Sequence, residues 1–385
     1  MPFYHRLGNI PHKRHVQFRK PDGSLYSEQV MGTKGFSGVE SILYHHYPPT
    51  AIVAVEDLGK VEIPLEEEGA LRHRHFKTAA MQPGGDPISG RRMLLVNSDV
   101  RMGVVQPTEE QKYFYRNGEG DEVLFVHEGE GVLETSFGNL PYRRGDYLVI
   151  PIGTTYRVNT GGAPTKMMVL ETTGEITTPN RYRNEHGQLL EHSPFCERDI
   201  RVPLEINARD ERGEFAVHVR AHGRMTSHVL DHHPLDVIGW DGYLYPYALN
   251  IEDFEPITGR IHQPPPVHQT FPGPNFVICS FVPRMFDYHP EAIPAPYNHS
   301  NVESDEVLYY VEGNFMSRKG VDIGSITLHP SGMPHGPHPG TAEASIGKPA
   351  TEELAVMVDT FRPLYMTKAA LGIEDESYTY SWIHK

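Results

Sequence analysis

His299, Glu306 and His335 place two imidazoles and one carboxylate inside a frame of glycines and a proline. Glu306 is followed after six residues by Gly313, and Gly324 then opens Gly324-x5-Pro330-x-Gly332-x2-His335. Two histidines and one carboxylate on a divalent ion leave coordination positions open. That is the arrangement of non-haem ferrous oxygenases, where substrate and O2 must both reach the metal. A site with few histidines suits open catalytic chemistry better than a closed structural role. The same spacing occurs once before. Tyr115 precedes Glu122, six residues lead to Gly129, and Gly145 opens Gly145-x5-Pro151-x-Gly153-x2-Tyr156. Here Tyr115 stands for His299 and Tyr156 for His335, and only the glutamate is kept. A phenol, with a pKa of about 10, keeps its proton at neutral pH. The first copy is therefore expected to hold no metal and to serve as structure.

These side chains can meet only if strands carry them. Val123–Val126, Asp146–Pro151 and Met167–Glu171 alternate and end at Gly, Pro or Asn, as do Asn275–Phe281, Glu306–Val311 and Ser325–His329. Glu352–Asp359 reads as a further strand. Helical period is confined to Pro107–Lys112 and Pro363–Leu371. In a closed barrel, inward-facing residues of neighbouring strands converge, which is how a ligand set split over 37 positions of sequence comes together. The expected fold is all-β, two jelly-roll barrels with few short helices. Residues 1–173 form an N-terminal β domain containing a degenerate barrel at about 105–173. Residues 174–230, polar and rich in Arg, Glu and Pro, connect it to a C-terminal barrel at 231–385 that holds the metal site.

Composition narrows the partners. The chain of 385 residues has a formal net charge of −15, against the basic footprint of a nucleic-acid binder. Two cysteines exclude a disulfide framework and point to a reducing compartment. No apolar run approaches a membrane span, and the first residues lack a signal-peptide core, so a cytoplasmic protein without membrane attachment is expected. The 23 histidines are the unusual feature. Those outside the frame, His45-His46, His73-x-His75 and His232-His233, are read as surface or interface residues.

The repeated grammar resembles the two motifs of the cupin family, and two motifs in order, twice, resemble a bicupin. Asn301 stands where many cupins place another histidine. Trp240-x-Gly242-x3-Pro246-Tyr247, Phe281-Val282-Pro283-Arg284, Pro296-Tyr297-Asn298-His299-Ser300-Asn301 and Met333-Pro334-His335-Gly336-Pro337 together resemble the homogentisate 1,2-dioxygenase family. The resemblance is densest between Trp240 and His338 and extends weakly over most of the chain. It implies an Fe(2+)-dependent, extradiol-type oxidoreductase that opens a 2,5-dihydroxyphenyl acid with both atoms of O2. Homogentisate would give maleylacetoacetate, in tyrosine and phenylalanine breakdown. It also implies a homo-oligomer, trimer or hexamer. Carried over residue by residue, the metal ligands are His299, Glu306 and His335. The catalytic residues are His268, with His262 as competitor, and His329, which could donate to oxygen or orient a ligand. The substrate contacts are His335, Arg284, Tyr297 and Asn314. The family's substrate-contacting Tyr after the motif glycine is replaced here by Phe315, with Asn314, Tyr297 or Tyr309 as substitutes. That departure keeps a related ring acid such as gentisate in play. A non-oxidative cupin enzyme using Mn or Zn and a non-enzymatic bicupin are the remaining readings.

Overall fold

The computed structural model describes residues 2–66, 69–313, 315 and 320–383. The chain is a bicupin, and nearly all of its regular structure is β. In the first barrel the central strands of one sheet run Asp146–Ile150, Glu122–Glu128, Lys166–Thr172, Val100–Val105 and Arg92–Val96. The facing sheet begins Gly138–Tyr142, Gly131–Thr135, Thr155–Asn159, Phe114–Asn117. The second barrel is built on Gln269–Gly273, Phe276–Phe281, Leu354–Thr360, Asp305–Glu312 and Ile326–His329.

The registers of the two copies match. Glu122 lies between Ile150 and Glu171, and Glu306 lies between His329 and Asp359. Tyr115 pairs with Tyr156, and His299 pairs with His335 through reciprocal backbone bonds of 2.7 and 2.8 Å. Gly129 and Gly313 both turn at φ +99°, a left-handed conformation that disfavours a side chain. A Cβ at Gly313 would also lie 2.3 Å from the Glu352 carbonyl oxygen.

Three expectations are corrected. Residues 174–230 do more than connect: Arg212–Ala221 and Arg224–His232 form a long hairpin that extends the first barrel's facing sheet by parallel pairing with Phe114–Asn117. Its residues are mostly half-exposed, which explains its polar composition. Pro107–Lys112 is not helical, because Thr108 and Glu109 donate backbone N–H groups to Gly85 O, and the Gln111 side chain accepts from Val158 N. Of Pro363–Leu371, only Lys368–Leu371 is helical, capped by Thr367, while Tyr365–Met366 pairs with Leu95–Val96.

The boundary between halves is also crossed. Arg74–Phe76 adds a strand to the second barrel beside Ile326–His329. Tyr247–Asn250 adds one to the first beside Asp146–Ile150. Residues His5–Gly8, Ser27–Gly32 and Glu40–His45 form a separate sheet with Val237–Gly242. One apolar core runs through both barrels, with Phe125, Tyr147, Trp240, Phe271, Ile278 and Val358 all buried in it. No helix among the described residues is long and apolar enough to cross a membrane.

Candidate metal centre

Strand Asp305–Glu312 presents Glu306 inward, and the bridge between His299 and His335 brings both imidazoles over it. One ligand atom from each residue lies within 4.8 Å of the others. His299 Nε2 is 3.5 Å from Glu306 Oε2, and His335 Nε2 is 3.3 Å from Oε1. His335 Nε2 is buried and has no hydrogen-bond partner. Its Nδ1 is 3.1 Å from Met333 O, which suits a ring whose other nitrogen is left to a metal. Burial pushes the Glu306 carboxyl up, but the neighbouring imidazoles of His299, His329 and His335 outweigh it and hold it well below the usual carboxylate range. An orphaned imidazole nitrogen beside an ionised carboxylate fits a divalent cation.

His329 does not face the cavity in which chemistry would occur. Its Nδ1 is 2.8 Å from Glu306 Oε1 and its Nε2 is 3.0 Å from the Tyr378 hydroxyl. Both nitrogens are engaged and the ring is fully buried. It orients the carboxylate and is not placed to touch a substrate. His335 is buried and does not line the cavity, while its ring stands beside Glu306. His73 packs edge-on to both, with ring centroids at 5.4 and 5.9 Å. Of the histidines expected at a surface or interface, His73, His75, His45, His232 and His233 are buried, whereas His46 is half-buried, and His45 meets Asp236 at 2.7 Å.

A cavity of about 230 Å³ opens onto the His299–Glu306 side. Its wall brings together His262, His268, Tyr297, Arg284 and Phe315, whereas Tyr309 is buried elsewhere. Asn314 lies outside the described residues. His268 stacks on Phe281 at 4.5 Å, and its Nδ1 has no hydrogen-bond partner. Burial, then the charge of Arg284, pushes its pKa down to about 3. His262 is more exposed: its Nε2 is hydrogen-bonded to the Tyr297 hydroxyl at 3.1 Å and its Nδ1 is 3.5 Å from Asp287. Arg284 donates to Glu353 at 3.0 Å.

Sequence reasoning missed Asp359. It sits across the strand pair from Glu306, lines the cavity, and has a buried Oδ1 without a partner. Burial, then the Glu306 charge, pushes its pKa up to about 8. The first barrel shows what such a carboxylate pair otherwise needs. There the guanidinium of Arg91 reaches Glu122 at 2.5 Å and Glu171 at 2.9 Å, and donates to the Tyr156 hydroxyl at 3.0 Å. The Tyr115 ring lies beneath it, 5.5 Å away.

Residues 97–251 match the family described as the N-terminal part of homogentisate 1,2-dioxygenase. A provisionally named dioxygenase of Saccharolobus solfataricus is 41% identical, over 99% of this chain and 99% of its own. The homogentisate 1,2-dioxygenase of Bradyrhizobium diazoefficiens is 27% identical over 70% of this chain, a match that spans 62% of that enzyme's length. Among solved structures, a cupin 2 conserved barrel domain protein of Leptotrichia buccalis is 10% identical, with a TM-score of 0.33 over 79% of this chain and all of that one.

Proposed function

The chain belongs to the homogentisate 1,2-dioxygenase family, and from that premise we propose that it holds ferrous iron on His299, Glu306 and His335 and opens a 2,5-dihydroxyphenyl acid with O2. The observation that carries the reading is the convergence of these ligand atoms on a cavity wall, with His335 Nε2 unsatisfied. Bound there, ferrous iron supplies open positions for a chelating ring oxygen and for O2, and a route for electrons between them.

The protein supplies the rest. His268 is held neutral, so its free Nδ1 accepts a hydrogen bond from a ring hydroxyl. With a pKa of about 3 it keeps a proton at neutral pH only while an anion forms beside it, and a phenolate is such an anion. His262, backed by Asp287 and bonded to Tyr297, is the group placed to pass that proton outward. Arg284 offers its guanidinium to the acid's carboxylate in competition with Glu353. The apolar residues Phe281, Leu308, Phe315 and Met357 limit water in the cavity.

Homogentisate is the substrate we assign, giving maleylacetoacetate. Phe315 favours one second reading, a shorter ring acid such as gentisate, because a wall without that hydroxyl discriminates less against a missing polar group. We also read the chain as a homo-oligomer. The outermost strand of the extended sheet, Ile52–Lys60, leaves Val53 57% and Val55 65% exposed, an apolar edge that soluble proteins normally cover. The test of function is O2 uptake by protein purified without oxygen and loaded with Fe(II). Stoichiometric uptake with homogentisate, above gentisate, is expected. No uptake with any dihydroxyphenyl acid would overturn the proposal and leave a non-oxidative metal enzyme.

A further inference from the structure

The first barrel has its own cavity, of about 730 Å³, within the ~300–1,000 Å³ usual for small-molecule sites. It lies over the Arg91 cluster, on the side reached by Tyr115, which stands where the second barrel has His299. Two donors on its wall are nine-tenths or more buried and unspent. Tyr115 is 1% exposed, and its hydroxyl makes no hydrogen bond among the described residues. Arg220 is 5% exposed. Its Nη1 reaches Glu171 at 2.5 Å, while its Nε, 3.2 Å from Glu119, makes no hydrogen bond. The acidic groups of the inner wall are already engaged: Glu171 by Arg91 and Arg220, and Asp86 by the Tyr113 hydroxyl at 3.0 Å. Burial, then the Glu122 charge, keeps the Tyr115 phenol protonated well above its ordinary range, so it can only donate to an anion. Lys60 and Lys368 add positive charge at the exposed rim, where Glu62 is the opposing group among the described lining residues. Tyr113 and His218 stack at 3.8 Å and 20°, giving the wall a flat aromatic plate, with Met225 beside it.

We infer that this cavity is a second ligand site, for a small aromatic monocarboxylate. Its carboxylate is held by Tyr115 and Arg220 and its ring lies against Tyr113 and His218. An unspent guanidinium N–H and a phenol that donates make a carboxylate clamp, and the plate beside them selects a ring over an aliphatic chain. The site requires no metal, so it stands or falls apart from the ring-cleaving activity.

The probe is 4-fluorophenylacetate, followed by ¹⁹F NMR on the metal-stripped full chain. Binding is expected, with the dissociation constant raised about tenfold or more in Tyr115→Phe, the loss of one hydrogen bond to a charged group. Met225→Trp, which fills the cavity, should abolish it, and Arg284→Met in the other barrel should leave it unchanged. If Met225→Trp does not fold, the near-isosteric Tyr115→Phe carries the test. No binding to the wild-type chain, an unchanged constant in Tyr115→Phe, or loss of binding only in Arg284→Met would each overturn the inference.

Discussion

Replacing Arg91 by Met should destabilise the first barrel far more than a surface arginine would. The Arg91 and Glu122 side chains are 5% and 0% exposed, and no other cation pairs with Glu122 among the described residues. Glu171 is less dependent, because Arg220 also holds it at 2.5 Å. Removing one partner of a buried pair costs about 3–5 kcal/mol, since the other charge is left without compensation. In a cooperative unit of this size that corresponds to a fall in Tm of about 10 °C. Urea unfolding and calorimetry read both quantities. The double variant Arg91→Met/Glu122→Gln removes the orphaned charge and should recover at least half of the loss. A loss below about 1 kcal/mol, or a double variant no more stable than the single one, would refute the claim that this guanidinium neutralises the first barrel's carboxylates.

Three further outcomes are expected. Glu306→Gln and His335→Ala should abolish retention of Fe(II) measured by elemental analysis. His329→Gln, which alters only the support of Glu306 and keeps a hydrogen-bonding side chain, should weaken it about 10- to 100-fold, and equal loss in all three would contradict the roles assigned. His268 has a folded pKa pushed down to about 3, below its unfolded value near 6.5, so the unfolded chain binds the extra proton between those limits. Its contribution to stability is present above pH ~6.5 and is lost as pH falls toward 3; in His268→Gln, urea titrations should show a shallower decline over that range. Val53→Asp with Val55→Asp on the exposed edge should lower the oligomeric mass by light scattering while leaving the circular dichroism spectrum unchanged, and an unaltered mass would place the interface elsewhere.

The barrels and the meeting of His299, Glu306 and His335 were legible because their signals are local. Gly145, Pro151 and Gly153 recur as Gly324, Pro330 and Gly332, and the matching registers accompany that shared spacing within the motif. What was not legible depends on pairings distant in sequence. Arg91 precedes the first motif by 24 residues and has no counterpart spacing in the second copy. Asp359 lies on a strand whose inward alternation could be read, but its neighbour Glu306 is assigned only by strand pairing. The hairpin 212–232 resembled a connector because a sheet exposed along much of its length carries polar residues where a core strand would not. His73, just before a short strand from the first half, packs against His329 and His335 for a reason no periodicity records: the strand order places Arg74–Phe76 beside Ile326–His329.

The duplication explains why one copy is suited to chemistry and the other is not. Each barrel points two carboxylates at one another across a strand pair, Glu122 with Glu171 and Glu306 with Asp359. Two buried carboxylates at that separation need a cation or a proton. In the first copy a guanidinium meets the need, and its donors to Glu122, Glu171, Tyr156 and the Pro87 carbonyl leave it little to offer a substrate. In the second, no lysine or arginine pairs with either carboxylate among the described residues, and burial, then the Glu306 charge, pushes Asp359 up to about 8. A divalent ion on His299, Glu306 and His335 would supply the missing charge, and unlike the guanidinium it would retain open positions. The electrostatic demand is shared by both barrels; what separates them is whether the cation that meets it can still bind a guest.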